Sequence, residues 1–107
     1  MFTPTKKFIT INSLPEPFKI IKPFDVYVQI RTYIIDPIRM LQPFWYLSYF
    51  SEVDCYGSGD SVEEAITDLK FDICSYYNVL LNREGNGLSL PGDLKDLDYL
   101  RTVIEKD

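Results

Sequence analysis

Three carboxylates recur every four residues along one segment of the sequence, at Glu64, Asp68 and Asp72. In a helix this spacing places side chains on one face, so the three would form a continuous acidic stripe. Catalysis by carboxylates needs either a metal ion or a pair of acids with different pKa values. Because side chains on successive helical turns point outward together, the stripe does not close around a substrate. The spacing therefore predicts either a solvated helix face or a surface that attracts a basic partner.

A dense aromatic run at residues 44–50 is the second feature with binding chemistry. Five of its seven residues are aromatic, and Trp45, Tyr46 and Tyr49 are the candidate anchors for a partner. Single-stranded nucleic-acid binders use such residues to stack bases. The chain lacks the RNP1 pattern of RNA-binding sheets, and this part of it is acidic. Core packing and a dimer interface are therefore the favoured interpretations.

A glycine pair precedes a predicted helix start, at Gly57-Ser58-Gly59. Helix N-termini offer free N–H donors, so this arrangement invites a phosphate-binding interpretation. Dinucleotide sites need a third glycine and P-loops need Gly-Lys-Ser or Gly-Lys-Thr, and the segment has neither. The acidic residues that follow would repel an anion. We therefore predict a structural turn and helix cap, formed by Gly57, Gly59, Asp60 and Ser61.

The absence of histidine and the spacing of the two cysteines argue against an enzyme. The chain has no histidine, which removes the commonest metal ligand and the usual general base near neutral pH. Cys55 and Cys74 are 19 residues apart, which fits neither a metal-binding pair nor a disulfide framework. We predict two ordinary thiols, no cofactor, no metal and no catalytic residue.

Length and composition indicate one globular domain. The chain has 107 residues, of which 46% are hydrophobic and 25% are charged. It has no apolar run of about 18 residues and no signal-peptide core, so a cytoplasmic location is expected.

Charge is divided unevenly along the chain. Up to Pro43 there are six basic and three acidic residues, and from Phe44 onward five basic and thirteen acidic. The acidic part favours a basic partner. The basic part supports an alternative, an RNA-binding protein that uses Lys6, Lys7, Lys19, Lys22, Arg31 and Arg39.

Strands are predicted in the first half of the chain. Four prolines make residues 1–24 an irregular arm, with short or edge strands near residues 7–11 and 18–21. Period-two alternation predicts a strand over residues 26–34, and the aromatic run predicts another. A shorter strand is expected over residues 53–56.

Two helices are predicted in the second half. Ser61 and Glu64 form a capping box at the start of a long helix, whose apolar residues recur at spacings of three and four. Gly85 is the predicted left-handed cap at its end. Asp93 is the predicted N-cap of a short helix over residues 93–105.

The segment from Gly59 to Ala65 matches the phrase G-D-[ST]-x-E-E-A, and the strand before it and the tyrosines and leucines after it also fit. Over residues 26–85 the chain thus resembles the HicB-like antitoxin family. The resemblance implies an α+β, partial RNase H-like fold. In that fold a small antiparallel sheet of three or four strands is covered by one long helix, and a short C-terminal helix follows.

The resemblance also implies a function. HicB-like antitoxins bind and neutralise a small basic RNase toxin and assemble as dimers or larger homo-oligomers. On this hypothesis the acidic stripe steers the toxin, and the three aromatic residues named above anchor it. Only about twenty residues follow the long helix, too few for the family's usual DNA-binding domain. RNA binding, or a stand-alone oligomer that uses the basic N-terminal half, is the alternative.

Overall fold

The computed structural model describes residues 6–32, 44–87 and 90–107. The elements in chain order are β1 (Lys6–Ile11), β2 (Phe18–Ile20), β3 (Phe24–Thr32), β4 (Phe44–Phe50), β5 (Cys55–Gly59), α1 (Val62–Gly85), α2 (Pro91–Val103) and β6 (Ile104–Lys106). Four strands form an antiparallel sheet in the order β1-β3-β4-β5, and β2 pairs with β6 separately. The long helix α1 packs on the four-stranded sheet. The predicted α+β fold class is confirmed.

Alternation along the strands gives the sheet a buried inner face. Val26 and Phe50, on neighbouring strands, are each 1% exposed and pack with α1. Helix α1 contributes Leu69 and Ile73, both fully buried, and α2 contributes Leu100. Burying a side chain of this size stabilises the fold by about 1.5–3 kcal/mol. The inner face and the two helices therefore form one hydrophobic core.

Helix α1 begins where its capping box predicts. The Ser61 hydroxyl accepts a hydrogen bond from the Glu64 N–H at 3.1 Å. The Glu64 carboxylate in turn accepts one from the N–H of Asp60 at 2.7 Å. Two donors at the helix start are thus satisfied by neighbouring side chains, and the predicted N-cap is confirmed.

The predicted turn at Gly57-Ser58-Gly59 is wrong, because these residues belong to β5. The turn comes earlier, over residues 51–54, where Asp54 has a φ of 58°. A Cβ atom on Gly57 would lie 2.3 Å from the Leu69 nitrogen and 2.5 Å from the Ala65 oxygen. The glycine is therefore needed because α1 packs closely on β5.

The predicted left-handed cap of α1 and the predicted start of α2 are also wrong. Gly85 lies inside α1, and the glycine with positive φ is Gly87, at 77°. Helix α2 begins at Pro91 instead of after Asp93. Proline suits the first helical position because an N–H there has no intrahelical partner. Asp93 lies in the first turn and pairs with Arg83 at 2.7 Å.

The last residues depart from the predicted helix. Helix α2 ends at Val103, and Ile104 begins β6 instead of continuing the helix to residue 105. Ile104 pairs with Ile20 of β2 and is 1% exposed. A strand partner and burial outweigh the helical spacing of the apolar residues here.

Two predicted features fall partly outside the described residues. The strand predicted over residues 26–34 is observed up to Thr32, and its last two residues are not described. Arg39 is not described either. None of the described helices is long and apolar enough to cross a membrane.

Candidate functional site

The acidic stripe, defined as Glu64, Asp68 and Asp72, lies along the edge of β5. Each carboxylate accepts a hydrogen bond from an alternate backbone N–H: Glu64 from Asp60 at 2.7 Å, Asp68 from Ser58 at 2.9 Å and Asp72 from Tyr56 at 3.0 Å. Four helical residues rise about 6 Å and two strand residues about 6.7 Å. Every fourth helix residue therefore meets every second strand residue, and the stripe caps the edge of the sheet.

The stripe presents its carboxylates to solvent. All three residues are exposed, and none of the ion pairs within the described part of the chain involves them. A backbone hydrogen bond holds one oxygen of each carboxylate in place. The stripe is therefore a fixed array of negative charge in contact with solvent.

On the outer face of the sheet, opposite α1, one aromatic residue from each strand joins a continuous row. The register sets Phe8 opposite Tyr27, Tyr27 opposite Tyr49, and Tyr49 opposite Tyr56. Their ring centroids are 6.2, 5.1 and 4.5 Å apart in that order. The first two contacts are edge-to-face and the third is stacked, geometries that aromatic pairs prefer. These four residues are called the aromatic row.

Asp54 lies beside the aromatic row, at the end formed by Tyr49 and Tyr56. Its Oδ1 accepts hydrogen bonds from the Tyr49 hydroxyl at 2.6 Å and the Tyr56 hydroxyl at 3.1 Å. The bond to Asp54 raises the pKa of Tyr49 well above its usual value, so this hydroxyl stays protonated. The turn before β5 thereby fixes a carboxylate beside two stacked rings.

The six residues predicted to bind a partner do not lie on one surface. Trp45 and Tyr49 share the outer face, because they alternate with the buried Ser48 and Phe50. Tyr46 alternates with them and belongs to the inner face. The acidic stripe occupies a third surface, along the β5 edge.

Sequence reasoning missed Phe8 and Tyr56 as members of an aromatic surface. They are 70% and 48% exposed, and they lie 48 residues apart in sequence. Only the strand register brings them into one row. Period-two alternation along each strand, combined with a known register, would have placed both residues beside Tyr27 and Tyr49.

The cysteines are buried and free. Burial raises the pKa of Cys55 to about 12 and that of Cys74 to about 11. Both thiols therefore stay protonated near neutral pH and pack as small apolar side chains. Within residues 6–32, 44–87 and 90–107, no three cysteine, aspartate or glutamate residues could together hold a metal ion.

The basic residues of the RNA-binding alternative are spread over several elements. Lys7 is opposite Val28 in the sheet register, and Lys19 lies in β2, where it pairs with Asp107 at 2.7 Å. Lys22 is exposed in the turn that follows β2. The three lysines thus lie in β1, in β2 and in the segment after β2.

Comparison of the chain with protein-family models, with curated proteins and with solved structures gives no match in any of the three. The HicB-like resemblance stays a prediction from the sequence motif.

Proposed function

We propose that this protein is a non-catalytic, cytoplasmic binding protein of the HicB-like antitoxin type, which captures and neutralises a small basic RNase toxin. The acidic stripe is the observation that carries the proposal. Its three carboxylates are fixed by backbone hydrogen bonds, and no described ion pair neutralises them. A fixed patch of one charge attracts an oppositely charged protein and speeds its encounter.

An exposed apolar side chain beside the stripe supports the same role. A shallow groove next to it is lined by Glu63, Thr67 and Phe71, with Glu64 and Asp68 at its side. Phe71 is 55% exposed, although its ring is large and apolar. An arginine or lysine of the toxin can lay its aliphatic stem on this ring and its cation against the carboxylates. Phe71 is thus an exposed aromatic anchor that adjoins the stripe.

The hydrogen bonds of the stripe favour binding over catalysis. A general acid or base must exchange protons with its substrate, which requires free carboxylate oxygens directed at the reacting atoms. In the stripe, one oxygen of each carboxylate already accepts from the backbone of β5 or the residue after it. We infer that these side chains act through their charge and position.

Toxin binding is tested with the product of the adjacent gene, if that product is a small basic RNase. The triple variant E64Q/D68N/D72N removes three charges, but each amide keeps an oxygen that can accept from β5. We expect the rate constant for association with the toxin to fall at least about tenfold. High salt should reduce the difference in this rate between the variant and the wild type. Stopped-flow mixing measures the association rate, and the residual RNase activity measures how fully the toxin is neutralised.

The matched control neutralises three exposed acids elsewhere, in the variant E16Q/D98N/E105Q, and changes the net charge equally. We expect this control to bind at nearly the wild-type rate. Equal rates for the stripe variant and the wild type would contradict the proposal, and so would the absence of any complex with a small basic protein.

Single-stranded RNA binding is a second candidate, and the aromatic row is the observation that favours it. Exposed rings on an open sheet face can each stack one base. The Asp54 carboxylate at the row and the net charge of −5 oppose phosphate binding. Titration with a labelled oligouridylate at low and high salt tests this candidate. Tight binding that falls steeply with salt supports it.

A further inference from the structure

We propose that the outer edge of β1 binds an extended segment of a partner protein, which joins the large sheet as a further antiparallel strand. This edge and the acidic stripe lie at opposite sides of the sheet. The inference therefore goes beyond the proposed function and does not depend on it.

The two edges of the large sheet differ in how their backbone groups are satisfied. At the β5 edge, the carboxylates of the acidic stripe accept from the outward N–H groups. At the other edge, β1 pairs with β3 on one side only. Within the described residues, no backbone hydrogen bond outside the ladders involves β1. An edge of this kind presents donors and acceptors that another strand can use.

The hydrogen bonds of the stripe determine the direction of every backbone group in the sheet. In an antiparallel ladder, the N–H and C=O of one residue point to the same side, and successive residues alternate. Tyr56 and Ser58 point away from β4, because their N–H groups donate to the stripe. Their register partners Tyr49 and Leu47 therefore point away from β5 and towards β3.

The same alternation extends to β1. Tyr27, opposite Tyr49, points towards β4 and hence away from β1. Phe8 is opposite Tyr27, so its N–H and C=O point away from β3. Thr10, two residues further along β1, points the same way. Phe8 and Thr10 thus direct their backbone donors and acceptors to the outer edge.

The side chain of Phe8 defines one position of the partner strand. Phe8 is 70% exposed and lies at the β1 end of the aromatic row, in contact with Tyr27. Residues opposite one another in a sheet share a face, and their side chains interact. A partner residue opposite Phe8 would lie beside this ring. An aromatic side chain there continues the row onto the added strand.

Two other β1 residues define the neighbouring positions of the partner, on the opposite face of the sheet. Ile9 packs against the core and is partly buried, so an aliphatic residue opposite it extends the apolar contact. Lys7 is exposed, and no described ion pair neutralises it. An acidic residue opposite Lys7 supplies the opposite charge. Read along an antiparallel partner, the pattern is aliphatic, aromatic, acidic at consecutive positions.

A second copy of this chain does not fit the pattern. Strand β1 begins with two lysines and contains no acidic residue. Pairing of two β1 strands would therefore add positive charge at the edge and bring no carboxylate to it. Lysine on an edge strand is a common guard against self-pairing. The charge of β1 thus favours a partner segment of different sequence.

Synthetic peptides test the pattern and the backbone pairing. The probe is the fluorescein-labelled peptide Ser-Thr-Thr-Val-Tyr-Glu-Ser, whose Val, Tyr and Glu would lie opposite Ile9, Phe8 and Lys7. The tyrosine would exchange hydrogen bonds with Phe8, so its N-methylation should raise the dissociation constant at least about tenfold. The isomer that is N-methylated at valine should bind like the parent peptide, because that nitrogen would point away from β1. Fluorescence anisotropy with up to about 500 µM protein measures the dissociation constants.

Two variants of the chain test whether the peptide binds at β1. Thr10→Pro removes an outward N–H but no donor to β3, since this N–H points away from β3. Thr10→Val is the matched control, because it also loses the hydrogen bond to Asp25 but keeps the N–H. We expect the proline variant to bind the peptide at least about tenfold more weakly, and the valine variant to bind like the wild type. Circular dichroism verifies that each variant is folded.

Amide hydrogen exchange measured by NMR tests the alternation without any substitution. In the free protein, the amides of Phe8 and Thr10 should exchange faster than that of Ile9, and the peptide should slow both. Absence of peptide binding, equal binding of the two N-methylated isomers, or self-association that Thr10→Pro abolishes would overturn the proposal. The stripe variant E64Q/D68N/D72N should bind the peptide as tightly as the wild type, so this test is independent of toxin binding.

Discussion

At the scale of single residues, Gly57 determines how closely α1 approaches the sheet. The missing side chain leaves space for Ser48, its neighbour on β4, whose hydroxyl donates to the Ala65 oxygen at 2.7 Å. Ser48 is fully buried, so this bond satisfies a polar group that would otherwise be costly in the core. The glycine and the serine together hold the first turns of α1 against β4 and β5.

Replacing Gly57 with alanine should strongly destabilise the fold. The new Cβ would lie 2.3 Å from the Leu69 nitrogen, and backbone atoms there cannot move without shifting the helix. We expect the free energy of unfolding in urea to fall by about 3 kcal/mol. Gly92→Ala is the matched control, because a Cβ there has no atom within 4 Å and lies in a helix. We expect a gain of about 0.5 kcal/mol. Similar effects of the two changes would show that α1 does not approach β5 this closely.

The same residues show which features of the fold the sequence could predict. The Ser61–Glu64 capping box was predicted correctly because its hydrogen bonds join residues close in sequence. Gly57 was predicted as a turn residue because glycine is common in turns and a second glycine follows two residues later. The actual reason, contact with Leu69, depends on how α1 lies on β5, and local sequence does not contain that information.

At the scale of elements, the edge of β5 is the part of the sheet that the acidic stripe protects. An edge strand presents backbone donors that can pair with another chain. The stripe accepts from three alternate N–H groups there. The spacing of the stripe was evident in the sequence, but its hydrogen-bond partners were not, because they depend on helix and strand running side by side. The stripe therefore has a structural role in addition to the binding role we propose.

The two roles can be separated with alanine and amide variants. E64A/D68A/D72A removes both the charge and the acceptors, whereas E64Q/D68N/D72N removes only the charge. We expect the alanine variant to lose about 1–3 kcal/mol of unfolding free energy and to self-associate through the opened β5 edge. The amide variant should stay close to wild type in both respects. Urea titration and light scattering at several concentrations measure the two effects. Identical behaviour of the two variants would mean that the β5 hydrogen bonds contribute nothing.

The outer face of the sheet shows a second feature that the sequence predicted only in part. The aromatic run at residues 44–50 was correctly predicted as a strand, and its propensity for a sheet is local. Its aromatic residues were not assigned to separate faces, so Tyr46 was grouped with Trp45 and Tyr49. Alternation along the strand separates Tyr46 from the other two, but which of the two faces packs on α1 is set by contacts between distant segments.

At the scale of the whole molecule, β2 and β6 join an early segment of the chain to its last residues. Their pairing brings Phe18 against Tyr77 of α1, with ring centroids 5.8 Å apart, and buries Ile104 between the helices and β2. The N–H of Asp107 also donates to the Pro17 oxygen at 3.0 Å. The small sheet therefore links the early part of the chain to both helices, and through the shared core to the large sheet.

This linkage predicts that a change in β6 destabilises the distant large sheet as well. Ile104→Ala should lower the free energy of unfolding by about 2–4 kcal/mol, because it leaves a cavity at a residue that is 1% exposed. Trp45 fluorescence reports on β4, and far-ultraviolet circular dichroism reports mainly on the helices. We expect both urea transitions to shift together, and the exposed neighbour change Glu105→Ala to shift neither. A shift in dichroism alone would show that the helices and the small sheet unfold separately. Coincident shifts would establish that the two sheets share one cooperative core.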